Sequence, residues 1–272
     1  MKNPVLWLEL RIRIRERKLW IVTCLYLLCL FAISCIAVST AASQGTNTDP
    51  ADTGMTIFGF GVFSLLGLLV ILGPLASAGS ISQEREQRTL PALMNTPLPP
   101  VSVVTGKLLA AWAFILWLAL LSLPFLGLGV IWGAFSPFRM LAGMALAVAA
   151  GLVSSAIAIG LSGYFRRSLT SYLATGAVMF LWLVVWPILG LLMMELFHNQ
   201  NRADTPADHP FIFYGFFYHH PVAPLVYLML GAANADMPST IIPFALGVWA
   251  VLSAIFFFIA CRGMRRRPAG KS

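Results

Sequence analysis

Charge is what this chain has least of. Only 10% of its 272 residues are Asp, Glu, Lys or Arg, where a soluble domain carries about a quarter. A water-facing surface cannot be built from so few charges, so lipid must cover much of the chain. Acidic residues are the scarcer kind, 10 against 18 basic ones, for a formal net charge of +8. The basic residues stand beside apolar runs and form no zinc-finger or RNA-binding signature. The excess therefore fits the anionic leaflet of a lipid bilayer, and nucleic acid is not an expected partner. Cys24, Cys29, Cys35 and Cys261 lie in or at the end of apolar runs without the paired CxxC spacing of a zinc site, so packing is their expected role. The sequence has no HExxH for a zinc membrane protease. It also has no G-x-x-x-x-G-K-[ST] loop with which to hydrolyse ATP itself.

What the chain does have is apolar length. A helix needs about 20 apolar residues to cross a bilayer, because every backbone polar group must be satisfied internally. Six segments qualify: Leu19 to Thr40, Ile57 to Gly79, Val104 to Ile131, Met140 to Gly163, Ser171 to Met194 and Ile241 to Cys261. The first is too long for the ~7–15-residue core of a secretory signal and is read as an uncleaved helix. Orientation follows from Lys and Arg. With the N-terminus inside, 1–18, 80–103 with its flank, the loop at Arg166 and Arg167, and the C-terminus are cytoplasmic. All of the 18 lysines and arginines except Arg139 and Arg202 then fall inside, the positive-inside pattern. The chain reads as one transmembrane domain over 1–272, multi-pass, with both termini in the cytoplasm.

Between the spans, Pro4 to Trp20 reads as a basic interfacial helix with a partial stripe of Leu6, Trp7, Leu10 and Ile14. The apolar stretch Phe211 to Ala233, inside the outer loop 195–240, is broken by His219, His220, Pro221 and Pro224. A hairpin that dips in and returns keeps the parity of the topology, and an interfacial loop is the alternative. Gly143, Ala147, Gly151 and Ser155 recur every fourth residue in the fourth span, a face for close helix packing within the chain or across a dimer. Trp182, Trp186 and Pro187 predict a bent fifth span. The outer histidines His198, His209, His219 and His220 are conceivable metal ligands, but adjacent residues rarely point together, and no metal site is expected.

The inside loop Ile81 to Lys107, ISQEREQRTLPALMNTPLPPVSVVTGK, is the segment with most information. Ser80 and Gln83 suggest a weak capping box, and Glu84 and Arg88 a surface pair four residues apart. Pro91 suits the first turn of a second short helix near Thr89, which Pro97, Pro99 and Pro100 would stop. The expectation is a helical extension of the second span, a short helix along the membrane, and a return. A solvated loop with ordinary surface pairs fits the same residues.

This loop resembles that of type-2, export-class ABC transporter permeases: an acidic stretch, Gly-Thr-Leu-Glu, a Leu-rich short helix, a Pro, and Gly-Lys opening the third span. Here stand Glu84 and Glu86, Arg88-Thr89-Leu90-Pro91, Leu93-Met94, Pro97, and Gly106-Lys107. Arg88 replaces the usual Gly and Pro91 the usual Glu. The basic run from Glu9 to Lys18 is similar to the family's N-terminal elbow. The resemblance implies an all-α membrane protein of six transmembrane helices. It also implies an N-terminal elbow helix, a cytoplasmic coupling helix between helices 2 and 3, and a re-entrant apolar segment before helix 6. The protein would sit in the plasma (bacterial inner) membrane as the permease subunit of an ATP-driven exporter. It would work with a separate ATP-binding subunit that holds ATP and Mg, and with a second permease copy. Thr89, Leu90, Leu93 and Met94 would dock on that subunit, with Glu84, Glu86 and Arg88 at the rim and Pro97 closing the helix.

Two other classes compete. Gly160-Leu161-Ser162-Gly163 matches the GxSG of rhomboid-type serine proteases. The sixth span carries no histidine base, however, and a serine without one is not an activated nucleophile. An ion-coupled transporter or channel usually keeps acidic residues inside its spans, and the six here contain none. Lys107 and Arg139 are expected to snorkel from span edges. The substrate is not readable; apolar, Gly- and Trp-rich helices suit lipids, hydrophobic drugs or peptides, or a complex that only transmits force.

Overall fold

The computed structural model describes residues 4–43, 50–89, 99–131, 136–200, 217–230 and 240–265, and among these it contains no strand. Its helices are α1 (Pro4–Arg15), α2 (Arg17–Ser43), α3 (Pro50–Ser77), α4 (Ser82–Glu86), α5 (Pro100–Ile131), α6 (Pro137–Tyr164), α7 (Ser168–Phe180), α8 (Trp186–Gln200), α9 (Val222–Leu230) and α10 (Ile241–Arg265), with a π-turn at Leu181–Val185 between α7 and α8. Six stretches are long and apolar enough to cross a membrane: Leu19–Thr40, Thr53–Glu86, Pro100–Ile131, Pro137–Tyr164, Ser168–Met193 and Ile241–Met264. These match the six expected spans. α5 and α6 start a few residues earlier than hydropathy suggests, at Pro100 and Pro137. A proline at the first helical position lacks only an N–H that would be unpaired there anyway, and Ser136 accepts from the Arg139 N–H to cap α6.

α6 is the central helix. Of its most apolar stretch 72% is buried, against 17% for the span made by α7 and α8. The Gly143-Ala147-Gly151-Ser155 face is turned inward and lies against α3 and its neighbours. A Cβ on Gly143 would sit 3.1 Å from Val62, and one on Gly151 3.2 Å from Leu69, while Ala147 and Ser155 are fully buried. Small residues here let two backbones approach within one chain. The main core adds Leu65, Ile115, Leu118 and Trp249, and the Tyr26 hydroxyl donates to the Leu118 carbonyl at 3.0 Å, tying α2 to α5.

α1 is a separate helix, broken from α2 at Glu16. The Leu6, Trp7, Leu10 and Ile14 stripe is not what seats it. Val5 is the buried residue, and Trp7 and Ile14 are 60% and 59% exposed. The reason is Gly106 on α5, where a Cβ would stand 2.8 Å from Val5 Cβ and 3.2 Å from the Leu6 nitrogen. A glycine notch fixes which face of α1 goes down.

The fifth span carries a π-turn at Leu181–Val185. Pro187 has no N–H to offer the Leu183 carbonyl at helical spacing. The imidazole of His220 takes that place: Nδ1 accepts from the Val222 N–H, which leaves Nε2 to donate to Leu183 O at 3.3 Å. His219 instead meets Trp186 edge-on, its carbonyl accepting from Trp249 Nε1 at 2.8 Å. The two adjacent histidines thus face different partners. They secure α9, whose Leu225 is fully buried and whose Leu228 reaches Gly143.

At the other end, α6 and α10 meet with backbone in contact. A Cβ on Gly163 would lie 2.7 Å from Ala260 Cα, one on Gly160 2.7 Å from the Phe256 carbonyl oxygen, and one on Gly263 would run into the Gly163 carbonyl. Gly263→Ala should therefore lower thermal stability in detergent by about 1–3 kcal/mol through overpacking. Gly247→Ala on the same helix, where a Cβ meets nothing within 4 Å, should be neutral or gain up to about 1 kcal/mol from helix propensity. Equal melting temperatures for the two variants would contradict the seam.

Candidate functional site

The polar groups of the bundle converge where α1, α4 and the ends of α3, α5, α6 and α10 come together. Val5 and Glu9 lie four apart on α1 and share a face. With Val5 on Gly106, Glu9 is carried to Lys107, the next residue of α5. Lys107 Nζ donates to Glu9 Oε1 at 2.6 Å and to Glu84 Oε1 at 2.7 Å, with the lysine side chain 2% exposed. Lys107 does not snorkel to water; it is neutralised in place by two carboxylates from separate elements. An unpaired charge at such a depth is costly, so this ion triad holds α1, α4 and α5 in one geometry.

α4 is only five residues long and owes its position to its neighbours. The expected Ser80–Gln83 capping box does not form. The N-cap is Ile81, without a side-chain bond of its own, and the Ser80 hydroxyl is buried with no partner among the described residues. The cap comes from α6 instead. Ser162 Oγ accepts from the Ile81 and Ser82 N–H groups, both at 3.0 Å, and donates to Ser82 Oγ at 3.2 Å. This is the serine of the GxSG run. Its flanking Gly160 and Gly163 serve the opposite contact, with α10.

The three charged side chains of α4 then diverge. Glu84 turns to Lys107 and not to Arg88. Arg85 donates to the carbonyls of Phe165 at 3.0 Å, Gly163 at 3.1 Å and Gly263 at 3.1 Å, placing a cation at the negative ends of α6 and α10. Glu86 accepts from the N–H of Ser168 at 3.1 Å and from its hydroxyl, an acceptor at the start of α7, whose own N-cap Arg167 makes no side-chain bond. Arg13 adds a bond from Nη2 to the Ala76 carbonyl at 3.3 Å. Burial lowers the Arg13 guanidinium from its ordinary range, opposed by the charges of Glu9 and Glu16.

α4 ends in a Schellman turn. The Arg88 N–H bonds the Arg85 carbonyl and the Thr89 N–H the Glu84 carbonyl, with Arg88 left-handed at φ 59°. That turn geometry ordinarily takes glycine, which accounts for the Gly that the resembling loops carry at this place. Arg88 and Thr89 are exposed. Leu90, Leu93, Met94 and Pro97 lie outside the described residues.

The family model described as ABC-2 family transporter protein matches residues 3–262, nearly the whole chain. The chain belongs to the ABC-2 transporter family. No curated protein matches it. Membership makes this ABC-2 protein a multi-pass membrane component of an ABC transporter. Ser162 faces N–H groups and Ser82, and among the described residues no three His, Cys, Asp or Glu side chains gather as a metal site. Sequence reasoning singled out Glu84, Glu86 and Arg88 but not Arg85, Glu9 or the capping role of Ser162. A lysine inside a long apolar helix was the available signal that carboxylates must meet it.

Lys107→Met should destabilise the ABC-2 protein by about 3–5 kcal/mol, because it leaves Glu9 and Glu84 without their cation. Adding Glu9→Gln and Glu84→Gln to it should restore most of the melting temperature, and failure of that rescue would remove the triad from the account. Arg88→Gly should raise stability by about 1 kcal/mol by relieving the left-handed residue, read from the same melts.

Proposed function

We propose that this chain is the permease subunit of an ATP-driven exporter, powered by a separate ATP-binding subunit that holds ATP and Mg. ABC-2 membership implies association with such a subunit. The observation that carries the mechanism is the divergence of Glu84, Arg85 and Glu86 from α4 to α5, to α6 and α10, and to α7. A displacement applied to the loop after α4 reaches all of these helices through charged groups in direct contact, the kind of rigid connection that domain closure needs in order to be transmitted. In this reading the α1–α4 end faces the cytoplasm of the plasma membrane, as the positive-inside pattern has it. Thr89, Leu90, Leu93 and Met94 dock on the ATP-binding subunit, Glu86 and Arg88 flank the contact, and Pro97 closes the segment before α5. Glu84 belongs to the linkage to the spans. Two permease copies complete the unit. The apolar helices suit a hydrophobic cargo.

Purification from the native membrane in mild detergent should recover a stoichiometric protein with a phosphate loop. Leu93→Asp should abolish that recovery. Arg85→Ala should leave it intact yet reduce cargo-stimulated ATPase activity about fivefold or more, the scale of a coupling free energy near 1 kcal/mol. Repeated purification of the intact permease without such a protein would defeat the proposal. Full stimulation in Arg85→Ala would defeat the transmission route while leaving the partnership standing.

A further inference from the structure

His220 is buried where α9 meets the fifth span. Its Nδ1 accepts from the Val222 N–H and its Nε2 donates to the Leu183 carbonyl, both at 3.3 Å. Val222 is the first residue of α9, so its N–H is one of those that a helix start leaves without an internal partner. An imidazole has three protonation states, and the two bonds together admit only one of them. The neutral ring with its proton on Nε2 makes both bonds. The neutral ring with its proton on Nδ1 makes neither, since it sets N–H against N–H and a lone pair against a carbonyl. The imidazolium carries protons on both nitrogens and can keep only the bond to Leu183. It also brings a positive charge to the N-terminus of a helix, where the dipole opposes it. The ring therefore joins α9 to the fifth span only while it is neutral.

The described surroundings offer nothing to neutralise that charge. The titratable and charged side chains described toward this end of the neighbouring elements are His219 and Tyr218 on the same segment, Tyr227 on α9 and Arg139 at the start of α6. None is a carboxylate, and of these only the charge of His219 acts on the ring. Burial holds His220 below the ordinary histidine range; the bond to Leu183 opposes this and the charge of His219 adds to it. His219 is likewise held down by burial. A histidine kept neutral in the fold contributes stability that is complete above its ordinary value of about 6.5 and is lost as the pH falls from there through the lowered one. We propose that His220 is an acid-operated latch: protonation of its ring breaks the bond to the Val222 N–H and frees the start of α9 from the fifth span. Leu225, fully buried, and Leu228, against Gly143, keep the rest of α9 seated. The latch works whichever way the chain lies in the membrane; in the orientation proposed above, acid reaches it from the outer side.

The test is amide hydrogen exchange of the purified full-length chain in detergent, read by mass spectrometry and corrected for the intrinsic pH dependence of exchange. Between about pH 7.5 and about pH 5.5, exchange at the start of α9, residues 222–226, should rise by up to about tenfold, the limit set by an ordinary histidine about one unit above the lower pH. Segments within α3 and α6 should keep their corrected rates. His220→Asn should abolish the step, because Asn Oδ1 still accepts from the Val222 N–H and does not titrate. His219→Gln should retain it. Absence of the step in the wild-type chain overturns the proposal, as does a step that survives in His220→Asn. A step lost in His219→Gln assigns the proton to the neighbour and overturns it too. A uniform rise throughout the bundle is acid unfolding and overturns the local latch. Should His220→Asn not fold, nitrogen NMR of the imidazoles in the wild-type chain decides instead. One ring should hold its proton on Nε2 and titrate below the ordinary histidine value, and its absence overturns the latch.

Discussion

Lys107 has its ammonium inside an apolar bundle, 2% exposed, and a charge in that position must be neutralised by groups held rigidly around it. Much of the organisation at this end of the molecule answers that requirement. Glu9 can reach it only if α1 lies against α5, which Gly106 permits. Glu84 can reach it only if α4 is fixed, which Ser162 accomplishes from α6 and Arg85 by donating from α4 to the end of α10. Each element that supplies a carboxylate therefore depends on a further contact elsewhere in the bundle, and the network spreads outward from one cation.

The molecule divides by chemistry along its length. At the α1–α4 end, helix termini gather and their unpaired carbonyls and N–H groups are met by Arg13, Arg85, Glu86 and Ser162. The middle is held by dispersion and close approach, with α6 in the centre. On the α9 side a single imidazole, His220, replaces the hydrogen bond that Pro187 cannot make. Polar contacts fix geometry where the backbone ends or breaks, and apolar packing suffices where it runs unbroken.

The six spans were legible because lipid imposes a local rule, continuous apolar length, that each segment must satisfy by itself. Their starts were less so, since Pro100 and Pro137 extend helices beyond the hydropathic core. The interior of the inside loop was misjudged where a partner was sought on the same helix: Ser80 with Gln83, Glu84 with Arg88, and water for Lys107. In the fold the cap of α4 comes from α6, the cation for Glu84 from α5, and a carboxylate for Lys107 from α1, separated by up to about 100 residues of sequence, and no short-range pattern carries that information. The Arg-for-Gly departure at Arg88 was visible in the sequence, but its meaning needed the left-handed turn.

The glycine seam between α6 and α10 sets which parts of the bundle can move. Where two backbones touch with no side chain between them, there is no rotamer to flip and no gap to close, so sliding would require whole helices to separate. Gly160, Gly163 and Gly263 remove those degrees of freedom, and α6 and α10 behave as one beam anchored at the α4 end. The lightly covered fifth span is built differently, its regular helix interrupted by the π-turn at Leu181–Val185.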